Sequence, residues 1–169
     1  MPTPPSCAFA SDNAAGAHPA VIDAVVAANS AHELAYVMAL STLVRPGDGI
    51  VCTDWSHINV DETGAPERVI GAKLLPQPTG NAKLVPEQVA ELAHLQGVQH
   101  HAQPGVLSIT QSTELGTLYT ADEVAALCET AHRMGMRVHL DGARLANATA
   151  ALGGSVAALR SFTVDAGVD

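Results

Sequence analysis

The sequence lacks several features that mark other classes of protein. Its 169 residues carry a formal net charge of −9 and no long run of lysine or arginine, whereas nucleic-acid binding depends on clustered basic side chains. The apolar runs fall well short of the roughly 20 residues that a membrane-spanning helix needs. The first residues hold neither a basic segment nor an apolar core, so we expect no secretory signal. These absences predict a protein that binds neither nucleic acid nor membranes.

Cysteine and aromatic residues are also scarce. Cys7, Cys52 and Cys128 are widely spaced and form no C-x-x-C pair, so we expect reduced, buried thiols in a cytoplasmic protein. Aromatic residues make up 3% of the chain, which leaves alanine and valine to fill most of the core. The eight histidines include no H-E-x-x-H motif and no cysteine pairs accompany them, so we expect no metal site.

What the sequence does contain is an alternation of strand and helix patterns, which predicts an α/β fold with a mostly parallel sheet. The length fits about one domain. Thr120 and Glu123, three residues later, predict a capping box at the start of a helix. Helices are predicted at 18–29, 34–44, 86–95 and 120–133, and strands at 49–53, 73–75, 106–110, 136–140 and from 164 onward.

The most informative segment reads VHLDGARLANA and spans 138–148. The apolar positions Val138 and Leu140 indicate the end of a buried strand, which Asp141 and Arg144 follow directly. Ligands of open α/β sheets bind at the carboxyl ends of strands, so both polar residues are candidates for a site. A carboxylate there suits the protonated ring nitrogen of pyridoxal phosphate. The alternatives are that Asp141 caps the next helix and that Arg144, in the first turn of that helix, forms a surface ion pair.

This segment and several others resemble the low-specificity threonine aldolases. These belong to the threonine aldolase and β-eliminating lyase group of fold-type I pyridoxal phosphate enzymes. The resemblance runs from about Phe9 to Asp169, with its blocks in the family's order. The matching blocks are FASDN at 9–13 with Gly16, His18 and Pro19, then VRPGD, SHINVDETGAPE, AKLLP, HAQP, SITQSTELGT and VHLDGARLANA.

The resemblance implies both a fold and a reaction. The fold would be a partial three-layer α/β/α large domain of the aspartate aminotransferase-like kind, with a mostly parallel sheet. The reaction would be the pyridoxal-phosphate-dependent cleavage of threonine, or of another β-hydroxy-α-amino acid, to glycine and an aldehyde. The family also implies a homo-oligomer. Two alternatives stay open, namely β-elimination on the same scaffold and an inactive, truncated remnant.

The resemblance also implies roles for individual residues. Asp141 would hold the pyridine nitrogen, and Arg144 would contact the phenolic oxygen of the cofactor or the substrate carboxylate. His57 would stack on the ring near the substrate hydroxyl, where an imidazole can accept a proton near neutral pH. Ser11 would help to hold the substrate carboxylate. Three further polar residues follow a predicted strand and could line the same crevice, without individual roles: Gln111, Thr113 and Glu114.

The chain departs from the family pattern in its lysines and its length. Pyridoxal phosphate enzymes hold their cofactor covalently through a lysine, but the two lysines of this chain, Lys73 and Lys83, do not match that position. A segment near 30–34, which in relatives includes the phosphate cradle, is shorter here, and the small carboxy-terminal domain is missing. We therefore expect residues 1–169 to form an incomplete pyridoxal-phosphate-binding large domain.

Overall fold

One parallel sheet organises residues 35–169, the part of the chain that the computed structural model describes. Its strands are β1 (Gly49–Thr53), β2 (Lys73–Gln77), β3 (Pro104–Thr110) and β4 (Arg137–Asp141). They pair in the order β2-β1-β3-β4, and every pair is parallel. Parallel neighbours need a crossover between them, and helical segments lie in each connection. The predicted α/β fold with a mostly parallel sheet is confirmed.

Short helices connect and cover the strands. Among residues 35–169, no helix is long and apolar enough to cross a membrane. The α-helices are α1 (Ala35–Leu43), α2 (His57–Val60), α3 (Pro86–Glu91), α4 (Ala121–Arg133), α5 (Leu145–Ala151) and α6 (Val156–Ser161); a π-helical turn covers Pro66–Ile70, and 3-10 turns cover Leu92–Leu95 and Val164–Ala166.

The sheet is covered on both faces. On one face, Leu107 and Val138 are buried in a cluster with Val124 and Leu127 of α4. Side chains alternate between the two faces along a strand, so the buried Val106 points to the other face. There α1 contacts β3 and β4. Within the described residues this confirms the three-layer arrangement.

Two elements follow the local sequence signals closely. Strand β1 covers the predicted residues and is buried throughout. Helix α4 begins after Thr120, whose hydroxyl accepts a hydrogen bond from the Glu123 backbone N–H at 3.2 Å. In return, the Glu123 carboxylate accepts from the Thr120 N–H at 2.7 Å. The predicted capping box is therefore confirmed.

Several predicted boundaries differ from the structure by one or more residues. Strand β3 begins at Pro104 and not at 106, and β4 covers Arg137–Asp141 and not 136–140. Strand β2 continues beyond Leu75 through Pro76 to Gln77. Proline has no N–H to donate. Because β2 is the outer strand of the described sheet, Pro76 is tolerated there without disrupting a central ladder of hydrogen bonds. The helix predicted over 86–95 ends at Glu91 and continues as the 3-10 turn Leu92–Leu95.

The prediction of a strand from Val164 onward is wrong. Val164–Ala166 forms a 3-10 turn that ends at Gly167, whose φ is 96°. Ala166 and Phe162 are buried against α4 in the main core. Ala166 and Phe162 thus pack against a helix, while Val164 stays exposed. In so short a segment, apolar alternation does not distinguish this packing from strand pairing.

Replacing Thr120 by alanine removes the hydroxyl that accepts from the Glu123 N–H. Since an N–H of the α4 terminus then loses its cap, we expect the free energy of unfolding to fall by about 1 kcal/mol. Urea unfolding followed by circular dichroism measures this. Thr42→Ala is the matched control, because the Thr42 hydroxyl donates to the Ala39 carbonyl within α1 and caps no helix start. Equal losses in both variants would contradict the capping role.

Candidate active site

The carboxyl ends of β1, β3 and β4 lie side by side, because these parallel strands are neighbours in the sheet. The segment after β1 carries His57, the loop after β3 carries Ser112 and Glu114, and the turn after β4 carries Arg144. Hydrogen bonds between these segments join them into one site. This is the edge where ligands of open α/β sheets bind.

Asp141 is the last residue of β4 and pairs with Thr110 of β3. Its Oδ1 accepts a hydrogen bond from the Ala143 N–H at 2.9 Å, and α5 begins only at Leu145. The carboxylate therefore closes a local turn, and the alternative that it caps the next helix is wrong. The other carboxylate oxygen, Oδ2, makes no hydrogen bond to a residue of the described range 35–169.

Arg144 reaches back from the β4–α5 turn to the loop after β3. Its Nε donates to the Ser112 carbonyl at 3.0 Å, and its Nη2 lies 3.3 Å from Glu114 Oε1. It precedes α5 as the N-cap residue, so its predicted place in the first helical turn is wrong. Because the side chain is only 25% exposed, it does not form the surface ion pair that was the alternative.

His57 begins α2, and two carboxylates orient its ring. Its Nε2 lies 2.7 Å from Glu62 Oε1, and its Nδ1 lies 3.4 Å from Asp61 Oδ2. Glu62 in turn accepts a hydrogen bond from the Tyr36 hydroxyl at 2.8 Å. The imidazole is 45% exposed, which leaves it accessible to a ligand. Sequence reasoning missed Glu62, although it lies five residues after His57 in the same matching block.

Glu114 links two of the predicted site residues, His57 and Arg144, because it contacts both. Its Oε1 accepts from the His57 backbone N–H at 3.1 Å and from Arg144 Nη2 at 3.3 Å. Its Oε2 is buried and has no hydrogen-bond partner among residues 35–169. Sequence reasoning placed Glu114 after a strand, among residues that could line the crevice, but gave it no individual role.

The other two unassigned residues of this loop serve the fold. The buried Gln111 side chain accepts from the Tyr119 N–H at 3.0 Å and donates to the Tyr119 carbonyl at 2.8 Å. Thr113 hydrogen-bonds with Thr117. These contacts fix the path of the chain between β3 and α4, and thereby the position of Glu114.

Among the described residues, neither lysine makes a contact with Asp141. Lys73 is the first residue of β2, at the amino end of the sheet. Lys83 Nζ donates to both Glu123 carboxylate oxygens, at 2.6 and 2.7 Å, and to the Leu118 carbonyl at 2.9 Å. Ser11 and the segment near 30–34 lie outside the described residues.

His139 lies on β4 two residues before Asp141, on the same face of the sheet. Its Nδ1 is 3.0 Å from the buried Ser108 hydroxyl. Burial lowers the pKa of His139, and the nearby Asp141 carboxylate opposes this only in part. The imidazole beneath the candidate site is therefore held in its neutral form more strongly than a free histidine.

The fold and the site together define an α/β protein with an anion, a guanidinium and an imidazole at the carboxyl edge of a parallel sheet. A family model described as "Beta-eliminating lyase" matches residues 33–166. The chain therefore belongs to the beta-eliminating lyase family, whose members depend on pyridoxal phosphate. This confirms the family resemblance that the sequence blocks indicated.

Several threonine aldolases are similar to this chain. A low-specificity L-threonine aldolase from Pseudomonas sp. (strain NCIMB 10558) is 34% identical over 195 residues, covering 95% of this chain and 56% of the relative. The Candida albicans low-specificity L-threonine aldolase is 28% identical over 118 residues, or 69% of this chain and 32% of the relative. The structure of Leishmania major threonine aldolase superimposes with a TM-score of 0.70 at 25% identity, covering 83% of this chain and 51% of that one. This chain thus spans about half the length of the Pseudomonas and Leishmania proteins and about a third of the Candida protein.

Replacing His139 by asparagine should change how stability depends on pH. The folded-state pKa of His139 is lowered from its ordinary value of 6.5, so below about pH 6.5 the unfolded chain binds a proton that the folded chain does not. The free energy of unfolding therefore falls as the pH drops below that value. Without His139 we expect the slope of the free energy of unfolding against pH to decrease, by up to about 1.4 kcal/mol per pH unit.

Urea unfolding at a series of pH values between 5 and 7.5, bounds chosen around the ordinary histidine range, measures this slope. The matched control is His101→Asn, because His101 is exposed. If both variants keep the slope of the unchanged chain, His139 is not the titrating group.

Proposed function

We propose that the site at the carboxyl ends of β1, β3 and β4 is the cofactor-ring-binding part of an aldolase centre. The reaction is the pyridoxal-phosphate-dependent cleavage of threonine and other β-hydroxy-α-amino acids to glycine and an aldehyde. The observation that carries this proposal is the Asp141 carboxylate at the end of β4, with one oxygen that makes no hydrogen bond to the described residues. Membership of the beta-eliminating lyase family supports it.

The side chains present fit the ring of pyridoxal phosphate. Asp141 supplies the anion that keeps a pyridine nitrogen protonated. Arg144 supplies a permanently charged donor for a phenolic oxygen or a carboxylate. When bound, the cofactor supplies an electron sink for the pair released as the Cα–Cβ bond breaks. A covalent link is not part of this fit, because Lys73 lies at the amino end of β2 and Lys83 is bound by Glu123.

His57 would exchange the proton of the substrate hydroxyl through Nδ1. Glu62 Oε1 lies 2.7 Å from Nε2, so this nitrogen already faces a carboxylate at close range. The contact of Nδ1 with Asp61 is longer, at 3.4 Å. Nδ1 is therefore the nitrogen that a hydroxyl reaches at the lower cost. The 45% exposure of the imidazole leaves room for this approach.

The aldolase reaction is proposed in preference to β-elimination because His57, the candidate proton acceptor for a β-hydroxyl, belongs to the segment that Glu114 links to Arg144. The amino acid substrate and a homo-oligomeric state are further parts of this proposal, supported by membership of the family. The proposal also includes that residues 1–169 form only part of the large domain. The absence of a suitably placed lysine within the described range 35–169 supports this part.

Replacing Asp141 by asparagine should weaken the binding of pyridoxal phosphate about 10- to 100-fold. A hydrogen bond to a charged group contributes roughly 1.5–3 kcal/mol, and each 1.4 kcal/mol corresponds to about a tenfold change in affinity. Absorbance titration of the chain with the cofactor measures the dissociation constant. Asp165→Asn is the matched control, since Asp165 is exposed and pairs with Arg160. Equal affinities of the two variants would contradict the role of Asp141.

Borohydride reduction followed by peptide mass mapping tests the assignment of the lysines, and product analysis tests the reaction. We expect no specific adduct at Lys73 or Lys83, and no glycine from threonine beyond the rate of free cofactor. An adduct at either lysine with glycine released would show that this chain completes the site by itself. In a protein that supplies the missing lysine, glycine and acetaldehyde from threonine support the aldolase, whereas pyruvate from a β-substituted alanine without glycine from threonine would establish β-elimination.

A further inference from the structure

Glu114 is the side chain of the described residues that contacts both the His57 segment and Arg144. It lies in the loop after β3, its side chain is 15% exposed, and its Oε1 is shared between two donors. One donor is the backbone N–H of His57, at 3.1 Å. The other is Nη2 of Arg144, at 3.3 Å. We propose that Glu114 is a positioning residue that couples Arg144 to His57.

The contact with His57 satisfies the start of α2. The first N–H groups of a helix have no partner within the helix, and the residue before α2, Ser56, makes no side-chain cap. Glu114, 57 residues further along the chain, supplies the missing acceptor. The carboxylate therefore fixes the point at which the segment after β1 turns into α2, and with it the base of the His57 side chain.

The contact with Arg144 explains how a charged side chain is tolerated at this largely buried position. A neutral acceptor would serve the His57 N–H, but burial of a carboxylate is costly unless a cation compensates it. Arg144 is that cation, and the Ser112 carbonyl holds its Nε at 3.0 Å. Because Ser112 and Glu114 belong to the same loop, the guanidinium is held from two points.

The other polar neighbours each act on one side only. Asp61 and Glu62 contact the imidazole ring of His57, and Ser112 contacts Arg144. None of these three bridges the two groups in the described part of the chain. A displacement of Arg144 therefore reaches the His57 backbone through Glu114. This inference rests on the proposed function only for its meaning in catalysis, because the coupling itself is a property of the chain without ligands.

Amide hydrogen exchange at His57, followed by ¹⁵N NMR on the chain without cofactor, tests the coupling. As a single substitution, Arg144→Ala should speed exchange of the His57 N–H about tenfold, since Glu114, the acceptor of that N–H, loses the cation that fixes its position. In the Glu114→Ala background, the same Arg144→Ala substitution should add nothing, because the link is already broken. Near-native circular dichroism of each variant establishes that it has folded.

Glu114→Gln keeps the size of the side chain and an acceptor for the His57 N–H but removes its charge. We expect it to retain most of the protection of His57 while abolishing the response to Arg144→Ala. The control is Glu91→Gln, because Glu91 is an exposed acid on α3 and should leave both the protection and the response unchanged.

The proposal is overturned if Arg144→Ala leaves His57 exchange unchanged, or if it accelerates that exchange equally with and without Glu114. Failure of the chain to bind pyridoxal phosphate would contradict the proposed function instead. Since the exchange measurement uses neither cofactor nor substrate, the two failures are distinguished directly.

Discussion

The candidate site depends on the parallel pairing of β1, β3 and β4. Parallel neighbours bring the carboxyl ends of all three strands to one edge, and the ladder of β3 with β4 continues past its last pair through the hydrogen bond from Gln111 N–H to the Asp141 carbonyl, 3.1 Å long. The loops that follow are then close enough for side chains to cross between them. Because of this strand order, the segments that carry Asp141, Arg144, Glu114 and His57 all start from this edge.

Carboxylates perform distinct tasks in this site, and their partners decide which. Asp141 closes a turn with one oxygen and leaves the other without a described partner. Glu62 orients the imidazole, and Glu114 holds a backbone N–H and a guanidinium. The chemistry of the residue type is the same in each case. The difference lies in the group that each carboxylate contacts: a backbone N–H for Asp141, a ring nitrogen for Glu62, and a backbone N–H with a guanidinium for Glu114.

The two lysines show how a residue type can be present without the function it has elsewhere. Lys83 is held by Glu123, by the Leu118 carbonyl and over the ring of Tyr119, 5.2 Å from its centroid. It thereby ties the loop before α3 to the start of α4. A nucleophilic lysine needs a nitrogen that is accessible to the cofactor, so this lysine serves the fold. Within the described range 35–169, Lys83 is therefore engaged by the fold, and Lys73 lies at the amino end of β2.

Local signals in the sequence determined β1, the capping box of α4 and the position of Asp141 at a strand end, because each depends on residues within a few positions of one another. They did not determine that Arg144 precedes α5, that Val164–Ala166 forms a turn, that Glu62 contacts His57, or that Glu114 links His57 to Arg144. Those outcomes depend on which segments pack together in three dimensions. The bond from the His57 N–H to Glu114 spans 57 residues, and only the order of strands in the sheet brings its ends within 3.1 Å.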